Sequence, residues 1–379
     1  MSAPPPVTIH SGKSKLKTVF VGQKGIRAGW RFATFVVLLF GFSKLFFWLL
    51  TMLFHYQEHT GWFPADFLLD GTLSFGAALF AAWIMSKLER RHFWEYGLPW
   101  REMFGKRFWQ GVLWGFVASI VMVILLRLLG AASFDGLALH GQAFFNSAVL
   151  WTAAFLLLGF AEEFVYRGYS QTTLADGMGF WPAAILLSAI FGAVHYFFKP
   201  MENWMDGLSV GLFGLFWCFT LRRTGTLWFA IGFHAMSDFA DMVLFAQPNT
   251  GNNGHTLTGH LLNISYHGPE WLTGGPRGTE ASALEFPILA ALFIVFAVAY
   301  PKMKAQSSAA DQRTSDIFRR EVEECHTANS TIRARYLGQA RRGISQRVTS
   351  FVSRLVFPTG SERLMAARFV YRVVKVTAP

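Results

Sequence analysis

Three short groups of polar residues interrupt apolar stretches of the chain, and their types suit acid–base chemistry. The first is Glu162-Glu163-Phe164-Val165-Tyr166-Arg167, near the end of an apolar run that begins at about Phe144. Ionised groups in such surroundings are costly and need a partner or a function. At helical spacing Glu163 and Arg167 lie on one face, where they neutralise each other. Glu162 points elsewhere, together with Tyr166 and Tyr169, and finds no counter-charge in its own helix. A carboxylate in that position is a candidate general base. The same stretch also reads as an ion-pair cluster that only stabilises helix packing. The second group is Phe191-x-x-x-His195 and the third His234-x-x-x-Asp238, each pair on a single helix face. One buried histidine is ordinarily a satisfied interior residue. Ionisable groups in three separate apolar segments must instead meet one another or a water-filled cavity.

The elements that hold them are membrane helices. Of 379 residues, 53% are hydrophobic and 15% charged, and the mean hydropathy is +0.33, which points to an all-α polytopic membrane protein. Apolar runs long enough to span occur at about 32-54, 71-87, 109-130, 144-166, 180-198, 206-221, 226-246 and 284-301, giving about eight helices; the second and sixth are short for a full bilayer. Aromatic residues such as Trp30, Trp48, Trp62, Trp109 and Trp181 mark the ends of these runs. Lys87, Arg90, Arg91, Arg101, Lys106 and Arg107 lie between the second and third runs, and Arg222-Arg223 between the sixth and seventh. The segments between the first and second and between the third and fourth have no Lys or Arg, so the positive-inside rule puts both termini in the cytoplasm. Residues 1-30 then form a basic cytoplasmic segment with no cleavable signal, 31-302 the membrane domain, and 303-379 a basic cytoplasmic tail.

The remaining polar regions say less. The 247-283 loop holds His255, His260 and His267 at irregular spacing and reads as a solvated outer loop rather than a metal site. Asn263-Ile264-Ser265 formally fits a glycosylation acceptor, a pattern short enough to arise by chance. Cys218 and Cys325 are too differently placed for a disulfide framework. The tail, with Phe351, Leu355, Phe369 and Val373 among arginines, fits the anionic membrane surface better than nucleic acid, and equally fits a disordered segment.

In order and on successive spans, Glu162-Glu163-x-x-x-Arg167, Phe191-x-x-x-His195 and His234-x-x-x-Asp238 resemble the CPBP or Abi family, which includes CAAX prenyl proteases of the Rce1 type and bacteriocin self-immunity proteins. The resemblance covers about 145-245. It implies an intramembrane endopeptidase at the cell membrane, with a cytoplasm-facing cavity and a peptide or protein substrate that carries a lipid in some relatives. Glu162 would activate a water, His195 would help to position it, Glu163 and Arg167 would be a structural pair, and His234 with Asp238 would stabilise the oxyanion. Family members commonly have asparagine where this chain has Asp238. An ionised aspartate cannot donate to an oxyanion, so Asp238 must be protonated, orient His234 or ligate a metal. Counted from the span ends, Glu162 falls toward the cytoplasmic side and His195 toward the outer side, so the fourth or fifth helix must shift or tilt for them to meet.

Other readings use the same sequence. Zinc could be held by His195, His234 and one or both of Glu162 and Asp238, although the chain has no His-Glu-x-x-His stretch; the metal-free mechanism needs no cofactor. Gly207-Leu208-Ser209-Val210-Gly211 resembles the G-x-S-x-G pattern of rhomboid serine proteases, but small residues at that spacing also let membrane helices approach closely. A membrane scaffold, an immunity-type protein or an ion-coupled transporter would use the polar cluster to hold helices or ions, and the chain shows no paired halves of the transporter kind.

Overall fold

The structure is a computed structural model that describes residues 20–22, 25–56 and 62–301. Most of the basic N-terminal segment and all of the tail after Pro301, with Cys325, lie outside the described residues. Among the described residues, nine α-helices of eight residues or more make up the body: α1 (Ala28–Phe54), α2 (Pro64–Glu89), α3 (Lys106–Leu128), α4 (Gly141–Glu163), α5 (Gln171–Met178), α6 (Phe180–Phe198), α7 (Trp204–Thr224), α8 (Trp228–Asp238) and α9 (Glu285–Ala299). The chain is therefore an all-α, multi-pass membrane protein. Each of the eight apolar runs is helical. Among the described residues six helices are long and apolar enough to cross a membrane, with Gly141–Met178 counted as one. The seventh and eighth runs form the shorter α8 and α9.

Local signals set several helix ends. Pro64 opens α2, where its missing N–H costs nothing. Asn203 caps α7 by accepting from the N–H groups of Met205 and Asp206, while Asp206 accepts from the Asn203 N–H. Gly225, at φ 79°, stops it. The fourth run behaves differently from the expectation of a span ending near 166. After Glu163 the backbone widens into a π-helix, Phe164–Ser170, and continues without a break into α5. The 38 residues from Gly141 to Met178 would reach about 57 Å at α-helical rise, so Glu162 sits in mid-helix rather than at a cytoplasmic end.

Helix α8 is the centre of the body. Trp228 through Ala235 are all buried, as expected for a helix apolar on every side. Its backbone lies directly on α3: a Cβ at Gly111 would stand 2.9 Å from Phe233 N, one at Gly115 3.2 Å from Phe233 C, and one at Gly232 3.1 Å from Val112 N. Helices α6 and α7 meet the same way, with a Cβ at Gly192 3.1 Å from Gly211 Cα. Small residues allow this approach where lipid offers no hydrophobic drive. Ser209 fits the packing reading, because it is buried and donates to the Asp206 and Glu280 carbonyls. At the basic end of the bundle Arg31 bonds both Glu89 and Asp176, at 2.7 and 2.9 Å, tying α1 to α2 and α5.

At the other end, strands β1 (Ala132–Leu137) and β2 (Leu262–Tyr266) pair antiparallel, with Ala132 opposite Tyr266. They anchor the 247-283 loop to the α3–α4 connection. The His267 ring bonds Ser133 Oγ at 3.1 Å and the His260 ring bonds Asn263 Oδ1 at 3.1 Å. Ser265 donates to Asp135, which holds that exposed carboxyl below its ordinary pKa.

The glycine contacts give a prediction with two signs. Gly111→Ala should lower the melting temperature of detergent-purified protein, with an overpacking cost of about 1–3 kcal/mol. Gly41→Ala, in α1 with nothing within 4 Å of its new Cβ, should leave it unchanged or raise it by a contribution of about 1 kcal/mol.

Candidate active site

Glu162, His195, His234 and Asp238 all line one cavity of ≈ 80 Å³ inside the helical body. At about 10–15 Å³ of such space per molecule it has room for several waters. The depth mismatch anticipated from the sequence is resolved by the long α4–π–α5 helix, which places Glu162 midway along its course.

Glu163 organises the cluster. Its Oε1 accepts from Arg167 Nη1 at 3.1 Å and lies 3.0 Å from His234 Nδ1, and all three side chains are buried. An ionised carboxylate only accepts, so Nδ1 of His234 carries the proton in this contact. The Nε2 edge is thereby turned toward Asp238 Oδ2 at 3.5 Å and Glu162 Oε2 at 3.8 Å. Those distances exceed a good N–H···O bond and amount to electrostatic contact. The Glu163–His234 bond joins two groups that the sequence reading kept apart. Trp217 stacks on the imidazole, 4.3 Å between centroids and 12° between planes, and leaves it one orientation.

Arg167 lies in an aromatic cage, with its guanidinium 4.4 Å from the Phe191 ring, 5.0 Å from Trp217 and 5.5 Å from Tyr166. Such faces attract a desolvated cation. Gly214 leaves room for the guanidinium, since a Cβ there would meet Arg167 Nη2. Phe191 also fixes His195: its carbonyl accepts from Nδ1 at 2.9 Å and its ring lies 4.5 Å away. A neutral His195 then keeps its Nε2 lone pair free. No direct bond joins His195 to Glu162; what they share is the cavity.

Two of the three motif-bearing helices, α4 and α8, change winding beside their functional residues. The π stretch Phe164–Ser170 follows Glu162-Glu163, and a second, Phe239–Leu244, follows Asp238. Such single turns are frequent at functional sites. The wider winding moves Tyr169 off the Glu162 face: it is buried against Phe35 at 4.1 Å and donates to Glu89 on α2. The expectation that Tyr169 accompanies Glu162 is therefore corrected, because its spacing assumed a regular α-helix.

Several lining residues were not foreseen. Trp217 lies in an apolar run with nothing to mark it. Lys199 directly follows the fifth run, and Asp241 follows Asp238 by three residues, so both were within reach of a wider search. Glu280 and Glu285 enter from the loop and from the start of α9. Among the described residues no group of three or more His, Cys, Asp or Glu is placed to hold a metal ion.

Residues 144–240 match the family model described as type II CAAX prenyl endopeptidase Rce1-like. This is a family of membrane proteases, and the matched segment carries all seven motif residues, Glu162 to Asp238. A comparison with curated proteins gives no match.

The geometry separates the two adjacent glutamates. Glu163→Gln leaves the buried Arg167 without its counter-charge and should cost about 3–5 kcal/mol. Glu162→Gln, at the cavity wall with no strong bond to lose, should stay within about 1 kcal/mol of the parent. Thermal unfolding of the two purified variants side by side reads the difference.

Proposed function

We propose that the chain is an endopeptidase of the CAAX-protease type that hydrolyses a peptide bond with a water activated by Glu162. The observation that carries this reading is that an unbonded carboxylate, an oriented imidazole and space for water occur together in one cavity within the protease-family segment. In the reaction Glu162 takes a proton from water as the oxygen attacks the scissile carbonyl. The carbonyl π electrons move onto oxygen, and the Nε2–H of a protonated His234 donates to the resulting oxyanion. When the tetrahedral intermediate collapses, the C–N bond breaks and the leaving nitrogen takes the proton from Glu162. His195 holds the water through its free Nε2. Glu163, with Arg167 behind it, fixes the His234 ring, and Asp238 keeps the Nε2 proton in place, which is the orienting role open to an aspartate there. A scaffold would fill the centre with paired side chains, whereas Glu162 lacks a close partner and faces open space.

Metal has no part in this scheme. Glu162→Gln should reduce cleavage of a quenched peptide library by about 10²–10⁴-fold, while a chelator should leave the parent rate unchanged. Equal rates for parent and variant would remove Glu162 as the base, and loss of activity with chelator would restore the zinc alternative.

The cavity wall supports a reading of the side from which substrate arrives. Trp62, Lys199, Asn249 and Glu280 line it from the loops that alternate with the basic ones. The charge distribution assigns those loops to the outside. The cytoplasm-facing cavity implied by the family and the positive-inside assignment thus pull in opposite directions, and we place the mouth on the side away from the basic loops. A Glu280→Cys variant, with Cys218 and Cys325 replaced, should react with an impermeant thiol reagent from outside intact cells. Reaction only in inverted vesicles would reverse the assignment. Whether the substrate carries a prenyl group is decided by comparing lipidated and plain forms of the same cleaved peptide.

A further inference from the structure

The cavity wall is acidic beyond what peptide hydrolysis uses. Asp241, Glu280 and Glu285 line it in addition to Asp238. Glu285 is 6% exposed, and among the described residues no side chain bonds its carboxyl. The charged groups close enough to act on it are Asp241 and Glu280, both of its own sign. An acidic residue in a first helical turn is ordinarily a solvated complement to the helix dipole, but burial among like charges removes that account for Glu285. Buried carboxylates without partners are strongly unfavourable unless a cation or a proton joins them.

The arrangement also selects the kind of cation. The carboxyls do not converge tightly enough to hold a metal ion. A guanidinium spreads five N–H donors over a planar fork and can reach acceptors that are farther apart. Lys199, the lysine on the wall, belongs with Glu162 and Asp238 in the charge balance and does not neutralise Glu285.

On the reading that the cavity is proteolytic, we infer that Asp241, Glu280 and Glu285 form a subsite for an arginine side chain of the substrate, next to the scissile bond. Because the subsite and Glu162 share one small cavity, the arginine is the residue flanking the cut or its immediate neighbour.

The test uses the full-length protein in detergent and quenched peptides that differ only in carrying arginine or its neutral isostere citrulline beside the cleaved bond. The arginine peptide should have a kcat/KM higher by on the order of tenfold, mainly through KM, and Glu285→Gln should bring the ratio toward one. Equal rates with arginine and citrulline in the parent protein overturn the subsite, a comparison that does not depend on whether the variant folds. If neither peptide is cut, binding of the labelled peptides to the Glu162→Gln protein decides. An arginine preference that Glu285→Gln removes upholds the subsite while the protease reading falls, and equal binding overturns the subsite.

Discussion

The arrangement of the polar centre depends on one buried carboxylate oxygen. Glu163 Oε1 serves the Arg167 guanidinium and the His234 imidazole together, at 3.1 and 3.0 Å. Neither cation alone would be an economical companion for a carboxylate in a low-dielectric interior, where desolvation weighs heavily against each ion. With both in place the carboxylate oxygen meets two donors and the ring acquires a fixed direction. The aromatic faces around Arg167 offer a second source of attraction that needs no hydrogen-bond acceptors. Adjacent glutamates therefore do different work: one is consumed by structure, and its neighbour remains open to the cavity.

Helix winding makes that division of labour fit. A π turn changes which residues stand above one another, and here it comes directly after each acidic motif residue. Arg167 still reaches Glu163, whereas Tyr169 is carried to the opposite side and joins the Arg31–Glu89 cluster. The site is thus built by two local departures from regular helix, held by surroundings that are otherwise closely packed.

Much of this was legible in the chain. Period and length gave the apolar runs, and the Glu163–Arg167 pair and the His234–Asp238 face followed from four-residue spacing. The glycines at 207 and 211 read correctly as contacts between helices. The continuation of α4 through Ser170 was hidden because Arg167, Tyr169 and Gln171 look like the end of a span when hydropathy alone is counted. Trp217 could not be told from other interior aromatics, and Glu280 and Glu285 reach the cavity through tertiary folding of a long loop that carries no local signal. Spacing reports neighbours within a helix; the Glu163–His234 bond crosses between two.

The glycine contacts bear on how the body can move. Helices α3 and α8 touch backbone to backbone, and so do α6 and α7, so neither partnership has compliant side chains that could yield as a spring. Each behaves as a stiff plank. On the proteolytic reading, a polypeptide too bulky for the resting void would be admitted by separating one plank from the other, along the seam where Trp217 lies over His234. The stacking that orients the imidazole would then also serve as the latch of that seam, and its release would be coupled to loading.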